Sequence, residues 1–323
     1  MLKRQIGILL GVALAGLCHV GAGAQEFPSR LVKLIVPQAP GGTTDVVGRA
    51  LANKLGEKWK HGIVVENVAG ASGAIGTQRV AISPSDGYTL LFTYEGSQAI
   101  NPHVLANQNF DAVKDFTPIA TVARAGFMVV ASPKLSARTF SELLALARDK
   151  PDALTYGSAG PGSANHLIAE MIKSAAKIRI QHVPYRGAPQ AITDVIGGQI
   201  DSAVASIPSV IGQIDSGSLR ALAVTSASRS TAVPNVPTIA ESGVPGFDVT
   251  PWWGVFGPPG MDPKLVARIA ADINEIVKAD DFRAVLAKQG AEPFASNTES
   301  FGKLVVADIA KWGKIVQAID LKP

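Results

Sequence analysis

Short apolar runs alternate along this chain with longer stretches whose apolar residues fall three and four apart. Residues 31–36 (LVKLIV) form an apolar run ended by Pro37, the pattern of a buried strand. Val46, Val47, Ala50, Leu51 and Leu55 then recur at helical spacing. Residues 63–65 read as the next strand, Gly70, Gly73 and Gly76 open a helix through Val80, and 88–92 form a third strand after the Asp86-Gly87 turn. The middle of the chain repeats this scheme. Residues 119–131 are extended, Thr139 and Glu142 form a capping box, and a helix follows that ends before Pro151. Residues 154–156 and 180–183 read as strands around a helix carrying Leu167, Ile168, Met171 and Ile172. Residues 192–196 are helical up to Gly197-Gly198, and 200–204 and 219–225 are strands. Residues 252–256 form a late strand. Asp262-Pro263 starts a helix with Leu265, Ile269, Ile273 and Ile276 on one face, and a final helix begins near Thr298. This alternation predicts an α/β protein with parallel sheets. No Pro- or Ser-rich linker divides it, so two lobes joined by extended crossings, near 122–126 and 224–228, are expected.

Composition supports a folded chain. Of 323 residues, 47% are hydrophobic and 17% charged, which excludes disorder. Net charge is +4, but Lys and Arg are scattered without a basic run, so no nucleic-acid partner is expected. The first residues are an address rather than fold: Lys3 and Arg4, an apolar stretch over 6–20, and the small residues Ala22-Gly23-Ala24. Cleavage after Ala24 predicts an exported, periplasmic protein with a signal peptide at 1–24. Cys18, the one cysteine, leaves with that segment, which excludes disulfides, thiolate catalysis and cysteine-bound metal in the remainder.

Two Gly-rich loops carry the candidate chemistry. Residues 37–44 and 157–163 each follow a strand and lead into a helix N-terminus, where unsatisfied N–H groups and the helix dipole attract anions. If the loops belong to different lobes, they grip one small anion between them. Read alone, each is equally a turn plus N-cap, with Asp45 complementing the dipole. Gly70, Gly73 and Gly76 have the wrong spacing for a dinucleotide loop, and serve either close helix packing or a wall of the same pocket. There is no nucleophile elbow and no zinc-helix motif, and His61, His103, His166 and His182 lack metal-ligand spacing. No catalytic residue, metal or cofactor is therefore expected. His166 lies one turn into the helix after the second loop, either facing a ligand or on the helix surface.

An ordered set of short motifs resembles the tripartite tricarboxylate transporter receptors, the Bug-type periplasmic solute-binding proteins. It runs from residues 34–45 (LIVPQAPGGTTD) through 65–76, 86–91, 99–102, 115–119, 156–166, 182–185, 217–225 and 236–243 to Trp253-Gly254 and Pro258. The resemblance implies a type II periplasmic-binding fold, two α/β lobes around a central cleft, with 25–123 and 227–323 in one lobe and 124–226 in the other. It implies capture of a small carboxylate (an amino acid, a pyridine or aromatic carboxylate, or a di- or tricarboxylate) and delivery to membrane permease subunits by a monomer. Matching ligand-loop residues are Pro40, Gly41, Gly42, Thr43 and Asp45 in the first lobe, and Ser158, Ala159, Gly160, Ser163 and His166 in the second. Alternatives are a sensor partner for the same ligands, or an exported α/β enzyme using His166.

Departures from the family pattern add candidates. Gln38 replaces an aromatic or Pro, Tyr94-Glu95-Gly96-Ser97 replaces a Gly-Thr-rich segment, and Arg186 replaces Lys or a small residue. If Glu95 lines the cleft it repels a second ligand carboxylate and favours an amino acid or pyridine-type acid. Otherwise it pairs with Arg186 or faces solvent, and an Arg186 facing the cleft favours a dianion. Ser206, just past the strand at 200–204, joins the candidates by position.

Overall fold

A computed structural model describes residues 27–319, apart from 107, and residue 321. The predicted signal peptide and its cleavage point lie outside these residues. The chain begins with a βαβαβ unit: β1 (Val32–Val36), α1 (Thr43–Trp59), β2 (Ile63–Asn67), a tight turn at Ala71–Gly73 leading into α2 (Ala74–Ala81), and β3 (Thr89–Tyr94). β1 lies between β2 and β3, parallel to both. A π-helical turn (Gly96–Ile100) and α3 (Asn101–Val104) follow, and β4 (Thr117–Arg124) then runs into β5 (Phe127–Ala131). After α4 (Phe140–Asp149) the opening scheme recurs: β6 (Thr155–Ser158), α5 (Ala164–Ala176), β7 (Gln181–Pro184), α6 (Ala188–Gly197) and β8 (Ser202–Ser206). β6 lies between β7 and β8, again parallel to both. The remaining elements are α7 (Ile207–Asp215), β9 (Arg220–Val224), β10 (Trp252–Gly257), α8 (Pro263–Lys278), α9 (Asp280–Lys288), β11 (Glu292–Pro293) and α10 (Thr298–Ala318).

The strands form two sheets, β11-β4-β10-β3-β1-β2 and β7-β6-β8-β5-β9. They are mixed rather than parallel as predicted. β10 is antiparallel to β3 and β4, and β5 is antiparallel to β8 and β9. Parallel neighbours require a crossover connection. The reversed strands are the two that enter a sheet directly from the other half, β5 from β4 through Ala125 and Gly126, and β10 on the chain's return.

Each sheet buries both faces, which explains why its strands read as nearly continuous apolar runs. Leu34 and Val36 of β1 face a core built with Leu51, Phe92, Ile269 and Ile273, while Ile35 packs on the opposite face with Trp252, Phe256 and Phe301. Helix α8 owes its position to its sequence. Asp262 caps it by accepting from Lys264 N–H at 2.7 Å, and Val266, Ile269, Ile273 and Val277 form its buried stripe. Gly48 of α1 is needed for close approach, since a Cβ there would sit 2.9 Å from the Phe92 ring.

The second sheet has its own cores, with Val129, Phe140, Leu167 and Val204 on one face and Met128, Val130, Ile192 and Val210 on the other. Ile239, Val244, Phe247 and Val249 join the first of these. The chain therefore stays packed on the second sheet well past the expected return at 227, and Pro251 O accepts Ala125 N–H at 2.9 Å where the two crossings meet. Helix α10 belongs to both halves: Phe301 and Val305 pack with the first sheet, Trp312 and Val316 with the second.

Candidate functional site: an uncharged cleft between two duplicated units

A cleft of about 480 Å³ lies where the carboxyl ends of the two parallel triplets meet. Ligands in open α/β sheets bind at such strand ends. The first unit contributes Pro37, Gln38 and Ala39 after β1; Ala69, Gly70, Ser72 and Gly73 after β2; and Tyr94, Gly96, Ile100 and Asn101 at the end of β3. The second contributes Ala159, Gly162, Ser163, Ala164 and Asn165 after β6, Ala188 after β7, and Ser206 and Ser209 after β8, with Phe127 at the crossing.

Among the described residues, no charged side chain lines this cleft. Its donors are neutral groups and backbone amides. The N-termini of α5, α6 and α7 reach it through Ala164, Ala188 and Ser206. Each presents orphan N–H groups and the positive end of a helix dipole. Tyr94 adds a phenol that burial pushes upward, so it stays a donor at neutral pH. Gln38 Nε2 donates to Ser97 Oγ at 2.8 Å, and Ser97 Oγ donates to Ser72 O at 3.2 Å. This chain links the segments after β1, β2 and β3 into one wall. Gly73, at φ +94°, completes it: a Cβ there would meet Ser97 Oγ at 2.7 Å.

Of the sequence candidates, Gln38, Tyr94, Ala159, Ser163 and Ser206 lie in the wall. Pro40, Gly41 and Gly42 are exposed outside it, and Thr43 starts α1 behind them. Asp45 is buried and turned back on its own loop, accepting from Gly41 N–H at 3.0 Å, from Arg49 Nε at 3.1 Å and from Asn67 Nδ2 at 2.9 Å. Burial opposes its charge, but the bonds from Arg49, Gly41 and Asn67 outweigh burial and hold the carboxyl below its ordinary 3.8. Ser158 and Gly160 belong to the second loop but are buried behind its lining residues, with Ser97 likewise behind the first-unit wall.

Three expectations are corrected. Glu95 does not line the cleft. The turn after β3 is helical, so the chain rotates Glu95 away while Tyr94 and Gly96 face inward. Its carboxylate is 2% exposed and accepts from Trp312 Nε1 and, at 3.4 Å, from Lys311 Nζ of α10. Burial pushes this carboxyl up. Arg186 is exposed, outside the wall and not the partner of Glu95. His166 is 7% exposed and faces inward: it stacks on His182 with centroids 4.2 Å apart, and its Nδ1 accepts Gly162 N–H at 3.2 Å.

Gly70, Gly73 and Gly76 serve both packing and pocket. Gly76 lies against Pro37 and the Val68 carbonyl, while Gly70 and Gly73 form the wall. Asn101, Asn165 and Ser209 were not foreseen. Asn101 and Asn165 lie inside the motifs 99–102 and 156–166, and Ser209 is one turn past Ser206, so position was their signal.

Residues 47–321 match the model of the tripartite tricarboxylate transporter family receptor. The chain belongs to this family. BugT of Bordetella pertussis is 34% identical over 99% of this chain and 98% of its own length. The structure of R. palustris Rpa4515 with adipate superposes with a TM-score of 0.80 at 33% identity, covering 90% of this chain and 97% of that one. MatC from Rhodopseudomonas palustris with bound malate gives 0.76 at 28% identity, covering 90% and 100%. The chain is thus a Bug-type periplasmic solute-binding receptor with the two-lobed binding fold, and the cleft sits between its lobes. No helix among the described residues is long and apolar enough to cross a membrane.

Proposed function

We propose that this receptor captures a small carboxylate in the cleft between its lobes and delivers it to membrane permease subunits, after export and removal of residues 1–24. The observation that carries the ligand class is the convergence of three helix N-termini on a cleft lined by no charged side chain. A carboxylate there is held by backbone N–H groups and dipoles, whose charge-assisted bonds are about twice as strong as neutral ones. No cationic side chain has to be desolvated on binding. The relatives with adipate and with malate support this class.

With Glu95 turned away, nothing in the wall repels a second carboxylate, so dicarboxylates are favoured over amino acids. The apolar patches at Ile100, Phe127 and Ala188 fit a short aliphatic or aromatic spacer. Closure is by rotation about the paired crossings, where Ala125 N–H donates to Pro251 O at 2.9 Å. His166 does no chemistry in this reading, because it is buried behind the second loop and outside the cleft wall.

Calorimetric titration with adipate, malate, terephthalate, glutamate and nicotinate tests the proposal. At least one dicarboxylate is expected to bind with micromolar or tighter affinity and to be recovered unchanged. A saturating ligand also stabilises the fold, by about 2.7 kcal/mol at a hundredfold excess over Kd. Turnover of a bound compound, or binding confined to cations, overturns it.

A further inference from the structure

The loops on the two sides of the cleft are fastened in the same way. Counting from the N-caps Gly42 and Ser163, Asp45 and His166 occupy the same position in the first turn of α1 and α5. Each reaches back to the amide before its cap: Asp45 Oδ2 accepts from Gly41 N–H at 3.0 Å, and His166 Nδ1 from Gly162 N–H at 3.2 Å. The chemistry of the two fasteners differs. Asp45 accepts as a carboxylate. His166 accepts only as a neutral ring with its proton on Nε2. A second proton, on Nδ1, sets N–H against N–H and removes the bond.

His182 extends this arrangement. It lies between His166 and Tyr156, with ring centroids 4.2 Å and 4.9 Å away. Its Nε2 meets Ser158 Oγ at 2.6 Å, and Ser158 Oγ in turn accepts Gly160 N–H at 3.0 Å. One amide of the loop therefore hangs directly from an imidazole; the other is held by Ser158, whose Oγ also donates to Gly160 O at 3.2 Å and which His182 braces from behind. The charged groups nearby are Glu170 and Lys173 of α5. Tyr156 O–H donates to Glu170 at 2.5 Å and Lys173 pairs with it at 2.7 Å, so the one carboxylate beside the pair is already engaged. Burial lowers His166; burial and then the neighbouring His166 hold His182 down at about 4. The positive end of the α5 dipole acts in the same direction.

We propose that His166 and His182 are positioning residues for the carboxylate, and that protonation of His166 unfastens the second-lobe loop and makes the receptor release its ligand in acid. The pair acts through residues 159–163 and touches no ligand. The release rests on the carboxylate reading of the cleft; the unfastening of the loop does not.

Two measurements separate these. In ligand-free protein, the Gly162 amide proton resonance is followed from pH 7.5 to 4.5 together with the ring nitrogens of His166. The amide is expected to shift as His166 protonates, and to stay fixed in His166→Gln, whose side-chain carbonyl accepts the same bond without titrating. Adipate and malate affinities are then measured over this range. Both probes titrate themselves, so the result is the ratio of wild-type to His166→Gln affinity at each pH. Whatever the variant's affinity at pH 7.5, that ratio is expected to fall severalfold by pH 4.5, whereas His182, held near 4, stays mostly neutral over this range and His182→Gln keeps the wild-type trend. An amide indifferent to His166 protonation, or a ratio constant with pH, overturns the proposal. Failure of both probes to bind counts against the carboxylate reading alone, and the amide titration still decides the switch. If His166→Gln does not fold, the wild-type resonance decides it.

Discussion

The loops after β1 and β6 hold equivalent places in two copies of one βαβαβ unit, yet they meet the cleft differently. After β6, Ala159, Gly162 and Ser163 form the wall and the helix N-terminus follows at once. After β1, only Pro37, Gln38 and Ala39 reach the wall, and the glycines stand outside it. In the first unit the glycine-lined approach is supplied instead by Gly70 and Gly73, after β2. A Gly-rich composition therefore marks where a strand turns into a helix. Which glycines approach a ligand depends on how the neighbouring segment packs.

The largest expected effect comes from breaking the first-lobe fastener. Asp45→Ala removes the acceptor of Gly41, Arg49 and Asn67, and is expected to lower the unfolding free energy by about 2–4 kcal/mol in urea denaturation. Because the Asp45 carboxyl is held below its ordinary value, its contribution is present above about pH 4 and lost as pH falls through the folded value. The variant's acid limb should accordingly be flatter than that of the wild type.

Gly73→Val probes the wall itself. A side chain at φ +94° collides with Ser97 Oγ at 2.7 Å and Gln38 Nε2 at 3.0 Å, so dicarboxylate affinity is expected to fall at least tenfold by titration calorimetry. A change under threefold would place the ligand away from this wall. Ser163→Ala removes the cap that accepts His166 N–H and donates to Gly160 O, with an expected loss near 1 kcal/mol in thermal unfolding.

The smallest effect sharpens the comparison most. Glu95→Gln keeps an acceptor for Trp312 and is expected to change dicarboxylate affinity less than twofold, because the side chain faces α10. A gain of tenfold or more would mean that Glu95 does act on the ligand.

Helices with strong local signals were legible in the sequence. Asp262-Pro263 and the stripe through Ile273 predict α8 at its observed start, and Thr139 caps α4, its Oγ1 accepting from Glu142 N–H. Strand direction was not legible, because local periodicity is the same in parallel and antiparallel strands. The duplication of the βαβαβ unit left no repeat in the sequence, since what the two units share is topology and hydrogen bonding rather than residue identity: Asp45 in one, His166 in the other. The placement of Glu95, which matches neither alternative, has a definite cause. Glu-Gly-Ser after a strand reads as a loop, whereas the chain continues as a helix, and that turn reverses which side chains face the ligand. The candidates behind the wall (Asp45, Ser158 and His166) were found because loop-holding and ligand-holding side chains sit within a few residues of one another.

Helix α10 adds a constraint that neither unit imposes by itself. One rod, with Phe301 seated among residues of the first sheet and Trp312 among those of the second, works as a common axle. Any swing of the lobes has to turn about it or slide along it. Stiffening its midpoint or loosening the Trp312 seat would therefore alter how far the jaws travel, even with every residue around the cargo left in place.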